Sequence, residues 1–212
     1  MPRLNWDVAG TRYYETGIDR GVLYVPTLNG VAWSGLTSVE ESPAGGDPKP
    51  YYLDGIKYLN LSAAEEYEAT INAFYSPAEF AWCDGIAQVA NGLSATQQPR
   101  QSFDLCYRTI LGNDLEGLDF AYKIHLVYNA LAQPTQRGNK TIGDSAEPTE
   151  FSWQITTKPP PMTGYKPTAH LVIESLTSDP DILSSVEDLI YGSDTTWPRM
   201  PSPSELVDIF TP

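Results

Sequence analysis

Two stretches of strict alternation constrain this chain more than anything else in it. "FAYKIHLVY" places Phe120, Tyr122, Ile124, Leu126 and Tyr128 on one side and Ala121, Lys123, His125 and Val127 on the other. "EYEATINAFY" does the same, with Tyr67, Ala69, Ile71, Ala73 and Tyr75 against Glu66, Glu68, Thr70, Asn72 and Phe74. Side chains of period two belong to half-buried strands, because a helix would scatter them around its axis. Weaker strands are predicted at 21–26, 31–39, 56–61, 102–110, 151–157 and 168–176, nearly all separated by turn residues. Eight strands with few helices between them favour an antiparallel β-sandwich or barrel over a βαβ sheet, so the fold class is mainly β. The 18 Pro, 13 Tyr and 5 Trp fit that reading, since turns use Pro and pleated surfaces use aromatics.

Helix signals gather at the C-terminus. In "SDPDILSSVEDLIYG" Asp179 is the N-cap, Pro180 opens the helix, and Ile182, Leu183, Val186, Leu189 and Ile190 form one stripe before Gly192. "SPSELVDIF" repeats this grammar with a capping box of Ser202 and Glu205. The chain therefore reads as one domain over 1–212. It carries an N-terminal arm over about 1–20, a polar loop over about 40–55, a long loop over about 132–150 and a C-terminal helical arm over about 193–212.

The formal charge of -14 argues against binding nucleic acid through its phosphates, which needs a basic footprint. "MPRLNWDVAG" has one Arg and no apolar core, and no run approaches the length of a membrane helix. These features predict a soluble chain made in a cytoplasm, with no membrane contact.

The region with most chemical promise is "SPAEFAWCDG", where Glu79, Trp82, Cys83 and Asp84 crowd together. Flanking carboxylates suppress a thiolate, so a nucleophilic Cys83 is disfavoured. The alternative is a short helical turn after Pro77 that buries Phe80 and Trp82 as packing anchors and leaves Cys83 inert. His125 and His170 stand on separate strands without a second His at ligand spacing, and a zinc site drawn from His125, His170, Cys83 and Cys106 stays open as an alternative. Glu40–Glu41 and Glu65–Glu66 have the residue type of glycosidase carboxylates, but strand neighbours point to opposite faces. No P-loop, GxGxxG, HExxH or GxSxG occurs, so no catalytic, cofactor-binding or metal residue is assigned and no cofactor is expected.

Taken in order, "LNWDVAGTRYYETGIDRGVLYVP", "GVAWSGLTSVEESPAGGDPKPYYLDGIKYLNL", "EEYEATINAFYSPAEFAWCDG", "YKIHLVYNALAQPTQRG" and "EFSWQITTKP" resemble the major tail protein, or tail tube protein, of long non-contractile-tailed phages (siphophages) infecting actinobacteria. The resemblance spans nearly the whole chain. It implies a tail-tube-type β-sandwich or barrel flanked by a helix, with six copies closing into a ring and rings stacking into a hollow tube. Such a protein is a structural part of the virion tail, assembled in the host cytoplasm, and not an enzyme. Its implied partners are itself and the tail tip, tape-measure and tail terminator proteins, with genomic DNA passing through unbound.

On that reading, Glu66, Glu68, Thr70, Asn72 and Asp104 are candidates for an acidic lumen that repels phosphates. Trp6, Tyr13, Tyr14, Glu40, Glu41, Asp47, Lys49, Leu206 and Phe210 are candidates for contacts between subunits. Two alternatives stand beside it: a β-sandwich carbohydrate-binding module and a carboxylate hydrolase.

Overall fold

A computed structural model describes residues 3–26, 28–62, 64–141 and 148–211. The strands are β1 (Tyr14–Tyr24), β2 (Val31–Ala32), β3 (Leu36–Glu41), β4 (Ala44–Gly45), β5 (Pro48–Leu53), β6 (Ile56–Ser62), β7 (Glu65–Glu66), β8 (Glu68–Ala73), β9 (Ala87–Ala90), β10 (Leu93–Ala95), β11 (Phe103–Asn113), β12 (Gly117–Ala132), β13 (Phe151–Thr157) and β14 (His170–Glu174). Two helices follow, α1 (Pro180–Tyr191) and α2 (Pro203–Phe210). The protein is mainly β, built on one large antiparallel sheet.

That sheet runs β2-β1-β11-β12-β13-β8-β3, with β14 also on β12. Strand β12 is 16 residues long and changes partner along one edge, from β14 at Lys123–Val127 to β13 at Ala130–Ala132. The change falls at Asn129, whose left-handed backbone (φ 48) marks a bulge. The sheet also bends back on itself. Residues 31–41 begin on β1 and finish on β8, stitched by Trp33 N–H to the Gly21 carbonyl and Phe74 N–H to the Gly35 carbonyl, both 2.8 Å. Gly35 turns this corner at φ 88, with Tyr75 3.3 Å from where a Cβ would stand.

The curled sheet encloses one core of Leu23, Trp33, Ile71, Phe80, Phe103, Tyr107, Val127, Trp153 and Ile155. A second core lies on the outer face of β1, β11, β12 and β14, where Cys106, Ile124, Leu126 and Ile173 meet Leu183, Val186 and Ile190 of α1. Alternate residues of β12 feed the two layers, which is why that strand has no solvent-facing side through its middle.

Helix α1 starts where Asp179 accepts hydrogen bonds from Asp181 N–H (2.9 Å) and Ile182 N–H (3.4 Å), and α2 starts on the reciprocal Ser202–Glu205 capping box.

Several expectations need correction. The C-terminal segment is no free arm, because α2 sinks Leu206 into the second core and lays Ile209 and Phe210 against it. The N-terminal arm is shorter than about 1–20, since Tyr14–Asp19 already pairs with β11. The polar loop over about 40–55 contains β4 and β5, and β5 pairs with β6 in a separate two-stranded sheet. The Pro-rich and Gly-rich composition hides that hairpin. The β9–β10 hairpin is a further element that the sequence reading lacks. Of the loop over about 132–150, residues 142–147 lie outside the described residues, as do Met1, Pro2 and Pro212 at the ends of the two arms.

Candidate functional site

The alternation of β8 resolves cleanly: Ala69, Ile71 and Ala73 enter the core, while Glu68, Thr70 and Asn72 look outward. Cross-strand register places Ser38 and Ser152 beside Asn72, Glu40 and Gln154 beside Thr70, and Thr156 beside Glu68. Asn72 Nδ2 donates to Ser38 Oγ (2.9 Å) and Glu40 Oε1 (3.4 Å), tying the strands together on this face. The result is a continuous hydrophilic sheet surface bearing Glu40 and Glu68, whereas Glu66 lies exposed on β7, which pairs with β4 in a separate two-stranded sheet. Asp104 does not join it. It sits on the helix side of β11, where its carboxylate accepts the Asn129 N–H at 2.6 Å. Burial pushes this carboxyl above its ordinary range, although the Asn129 hydrogen bond opposes the shift.

The β5–β6 hairpin presents Tyr51, Tyr52, Leu53, Ile56, Tyr58 and Leu61 to solvent, with Ile56 73% and Tyr58 70% exposed. A two-stranded ribbon is at best marginal alone, and a contiguous apolar surface of this kind marks a contact site. Asp47 and Lys49 lie exposed at its base, and Trp6, Tyr13 and Tyr14 are exposed near the N-terminus, where Tyr13 stacks on Phe120 at 5.4 Å. Two expected contact residues behave differently. Leu206 is consumed by its own core, and Glu41, on the core-facing phase of β3 yet still 39% exposed, accepts the Tyr107 hydroxyl at 2.8 Å. Glu40 points out and Glu41 in, so this acid pair cannot converge on a glycosidic bond.

The acidic knot is structural. Ala78–Trp82 is a 3₁₀ turn whose three-residue period aims Phe80 and Cys83 inward and leaves Trp82 outward, correcting its expected role as a packing anchor. Phe80 is fully buried against Trp33, Phe103 and Trp153, at centroid distances of 4.7, 5.2 and 5.1 Å. Asp84 binds Arg100 at 3.2 Å and also pairs with Arg137, clamping this turn to the segment after β12. Burial pushes the Cys83 and Cys106 thiols up to about 12, which leaves both protonated. They occupy different cores and both are free thiols.

The two histidines do meet, contrary to their separation in sequence. β12 and β14 pair with His125 opposite Val172 and His170 opposite Val127, so the two rings are diagonal neighbours on one face. His125 Nδ1 lies 3.1 Å from His170 Nε2, and Glu41 Oε1 lies 3.7 Å from each nitrogen. Neither cysteine belongs to this cluster. No sequence signal specifies that β14 pairs with β12, so neither the cluster nor the part played by Tyr67 and Tyr107 is foreseeable from spacing.

No protein-family model matches the chain, and neither does any curated protein sequence. Among solved structures it is similar to a chain of the anti-feeding prophage baseplate, at 8% identity and a TM-score of 0.40, over 80% of this chain and 97% of that one. It is also similar to a chain of the anti-feeding prophage tube-terminating cap, at 12% identity and a TM-score of 0.36, over 82% and 97%. A chain from the sheath–tube complex of an extracellular contractile injection system, in its extended state, matches at 12% identity and a TM-score of 0.34, over 80% and 93%. At such scores these neighbours determine nothing about what this chain does.

Proposed function

We propose that the chain is a structural subunit of a phage tail tube, forming six-membered rings that stack into a hollow conduit for DNA. The observation that carries this reading is the β5–β6 hairpin, a projecting ribbon with apolar residues on both faces and no core of its own. A surface of that kind is stabilised by a partner, and a second copy of the same chain supplies one through a head-to-tail contact that closes into a ring. The ordered resemblance of five sequence segments to tail tube proteins supports the same assignment. The hydrophilic face of β3, β8 and β13, with Glu40 and Glu68, is suited to line the conduit, because its carboxylates repel phosphates within a Debye length of about 8 Å. Trp6, Tyr13, Tyr14, Asp47, Lys49 and the hairpin are the proposed joints, with tail tip, tape-measure and terminator proteins as further partners.

Negative-stain electron microscopy of the concentrated protein, with light scattering for mass, tests the assignment. Rings or hollow tubes, formed by the protein alone or after addition of purified tail tips, are expected. A strict monomer under both conditions overturns it.

A further inference from the structure

The chain has only two histidines, 45 residues apart in sequence, and the fold brings both together beside the Glu41 carboxylate, whose side chain stays 39% exposed. We propose that Glu41, His125 and His170 form a binding site for a divalent transition-metal ion of the zinc class, which neither the tail-tube reading nor the resemblance assigns and which does not depend on either.

The distances suit such an ion. With bonds of about 2.0–2.1 Å, ligand atoms around tetrahedral zinc lie roughly 3.3 Å apart. The separations here are 3.1 Å between the two ring nitrogens and 3.7 Å from each to Glu41 Oε1. They bracket that value, so side-chain movements of a few tenths of an ångström close the site. Among the described residues this is the only group of three His, Cys, Asp or Glu side chains with ligand atoms within 4.8 Å of one another.

The hydrogen bonds around the cluster aim His125 Nδ1 at the ion, whereas His170 Nε2, at 3.1 Å from it, donates to that lone pair in the metal-free protein and shifts its proton to Nδ1 when an ion binds. Thr109 donates its hydroxyl proton to Glu15 Oε1 at 2.7 Å, so its oxygen accepts from His125 Nε2–H at 3.0 Å. That places the His125 proton on Nε2 and leaves a lone pair on Nδ1, facing His170 and Glu41. A ligating histidine held through its far nitrogen is the usual outer support of a metal site. Lys123, at 2.8 Å from Glu15, anchors the far end of the relay.

Ring planes are fixed as well. Tyr107 stacks on His125 (4.6 Å, 5°) and Tyr67 packs on His170 (4.6 Å, 37°). The buried Tyr67 hydroxyl lies beside Tyr107 and Glu41 without a well-formed hydrogen bond, and a water bound to the metal would offer it a further acceptor. Three protein ligands with water in a fourth position is a recognised zinc arrangement.

An ion here joins β3, β12 and β14. Glu41 and Tyr67 bracket the excursion over 42–66 that carries the hairpin, so occupancy would brace its root.

The test uses the full chain, stripped with chelator and then freed of it. Calorimetric titration with Zn²⁺ near neutral pH should give one ion per chain. Co²⁺ should produce the intense visible absorption of a four-coordinate N/O site. Glu41→Gln and His170→Gln, both checked for folding by circular dichroism, should each weaken Zn²⁺ binding by at least about tenfold, while Glu40→Gln, which faces outward, should leave it unchanged. Absence of saturable Zn²⁺ or Co²⁺ binding at millimolar metal overturns the proposal. So does binding that is indifferent to Glu41→Gln and His170→Gln, which would mean that the ion sits elsewhere on an acidic surface.

Discussion

Replacing Tyr58 with Thr tests whether the β5–β6 hairpin is a joint between subunits. Thr keeps the branched Cβ that strands favour and removes the ring. A tyrosine buries roughly 150–250 Å² when fully enclosed, and Tyr58 is 70% exposed, so about 140 Å² is available for a partner. At about 25 cal/mol per Å², covering it contributes about 3.5 kcal/mol per contact; Thr keeps a part of that surface, so the substitution removes about 3 kcal/mol, roughly a hundredfold in the association constant. The same change should alter the stability of the isolated subunit by no more than about 0.5 kcal/mol, because the side chain touches little of its own chain. Sedimentation velocity over a concentration series should therefore show assembly displaced to concentrations about a hundredfold higher, with an unchanged melting temperature. Two results would refute the reasoning. If assembly survives Tyr52→Thr, Ile56→Thr and Tyr58→Thr together, the hairpin is not a joint. If the melting temperature falls with Tyr58→Thr alone, the ring is packed within its own subunit.

The 3₁₀ phase at Ala78–Trp82 makes a paired prediction: Phe80→Ala should cost about 3–5 kcal/mol, moving a urea midpoint by roughly 1–2 M, while Trp82→Ala should cost under about 1 kcal/mol. Equal losses would show that the turn is mis-phased. Asp104→Asn should raise thermal stability at neutral pH. Burial raises the carboxyl's folded pKa, so its favourable contribution belongs to the protonated form and disappears as pH rises through that value. Asn keeps an acceptor for the Asn129 N–H without the buried charge. Its advantage should vanish below the carboxylate range, and melting curves that show no gain at neutral pH would mean that water reaches the carboxylate.

Local pattern reveals much of the fold. Period two places β8, β11, β12 and β13, and the capping residues place both helices, because these signals depend on neighbours within a few residues. The errors have a common origin in tertiary context. Leu206 and Phe210 form an amphipathic stripe that fits a neighbouring subunit or their own sheet equally well, and only the packed fold shows that they join Tyr128 and Ile124 of the same chain in one core. Trp82 is misassigned by sequence because a 3₁₀ turn and an α-helix aim position five of a segment differently, and five residues are too few to reveal the period. The hairpin is hidden because Pro48 and Pro50 read as loop residues, whereas an edge of an exposed ribbon tolerates them.

The candidate sites divide along the same line. Glu68, Thr70 and Asn72 share a face by alternation alone, whereas Ser38, Glu40, Ser152 and Gln154 join it by register, which sequence spacing does not encode, and Glu66, which the alternation groups with them, lies in the separate β4–β7 sheet. Charge alone groups Asp104 with them, and charge says nothing about layer. The Glu41–His125–His170 cluster requires three facts at once: the return of residues 31–41 onto β8, the partner change of β12, and the inward phase of Glu41 after Val39. Of these only the phase has a local cause, since Val39 faces the core and the second residue after it in a strand must follow. The two-residue period of β3 is therefore enough to turn a glutamate inward at the end of a core-facing strand. Its carboxylate stays 39% exposed, and the fold brings the Tyr107 hydroxyl and the two histidine rings against it.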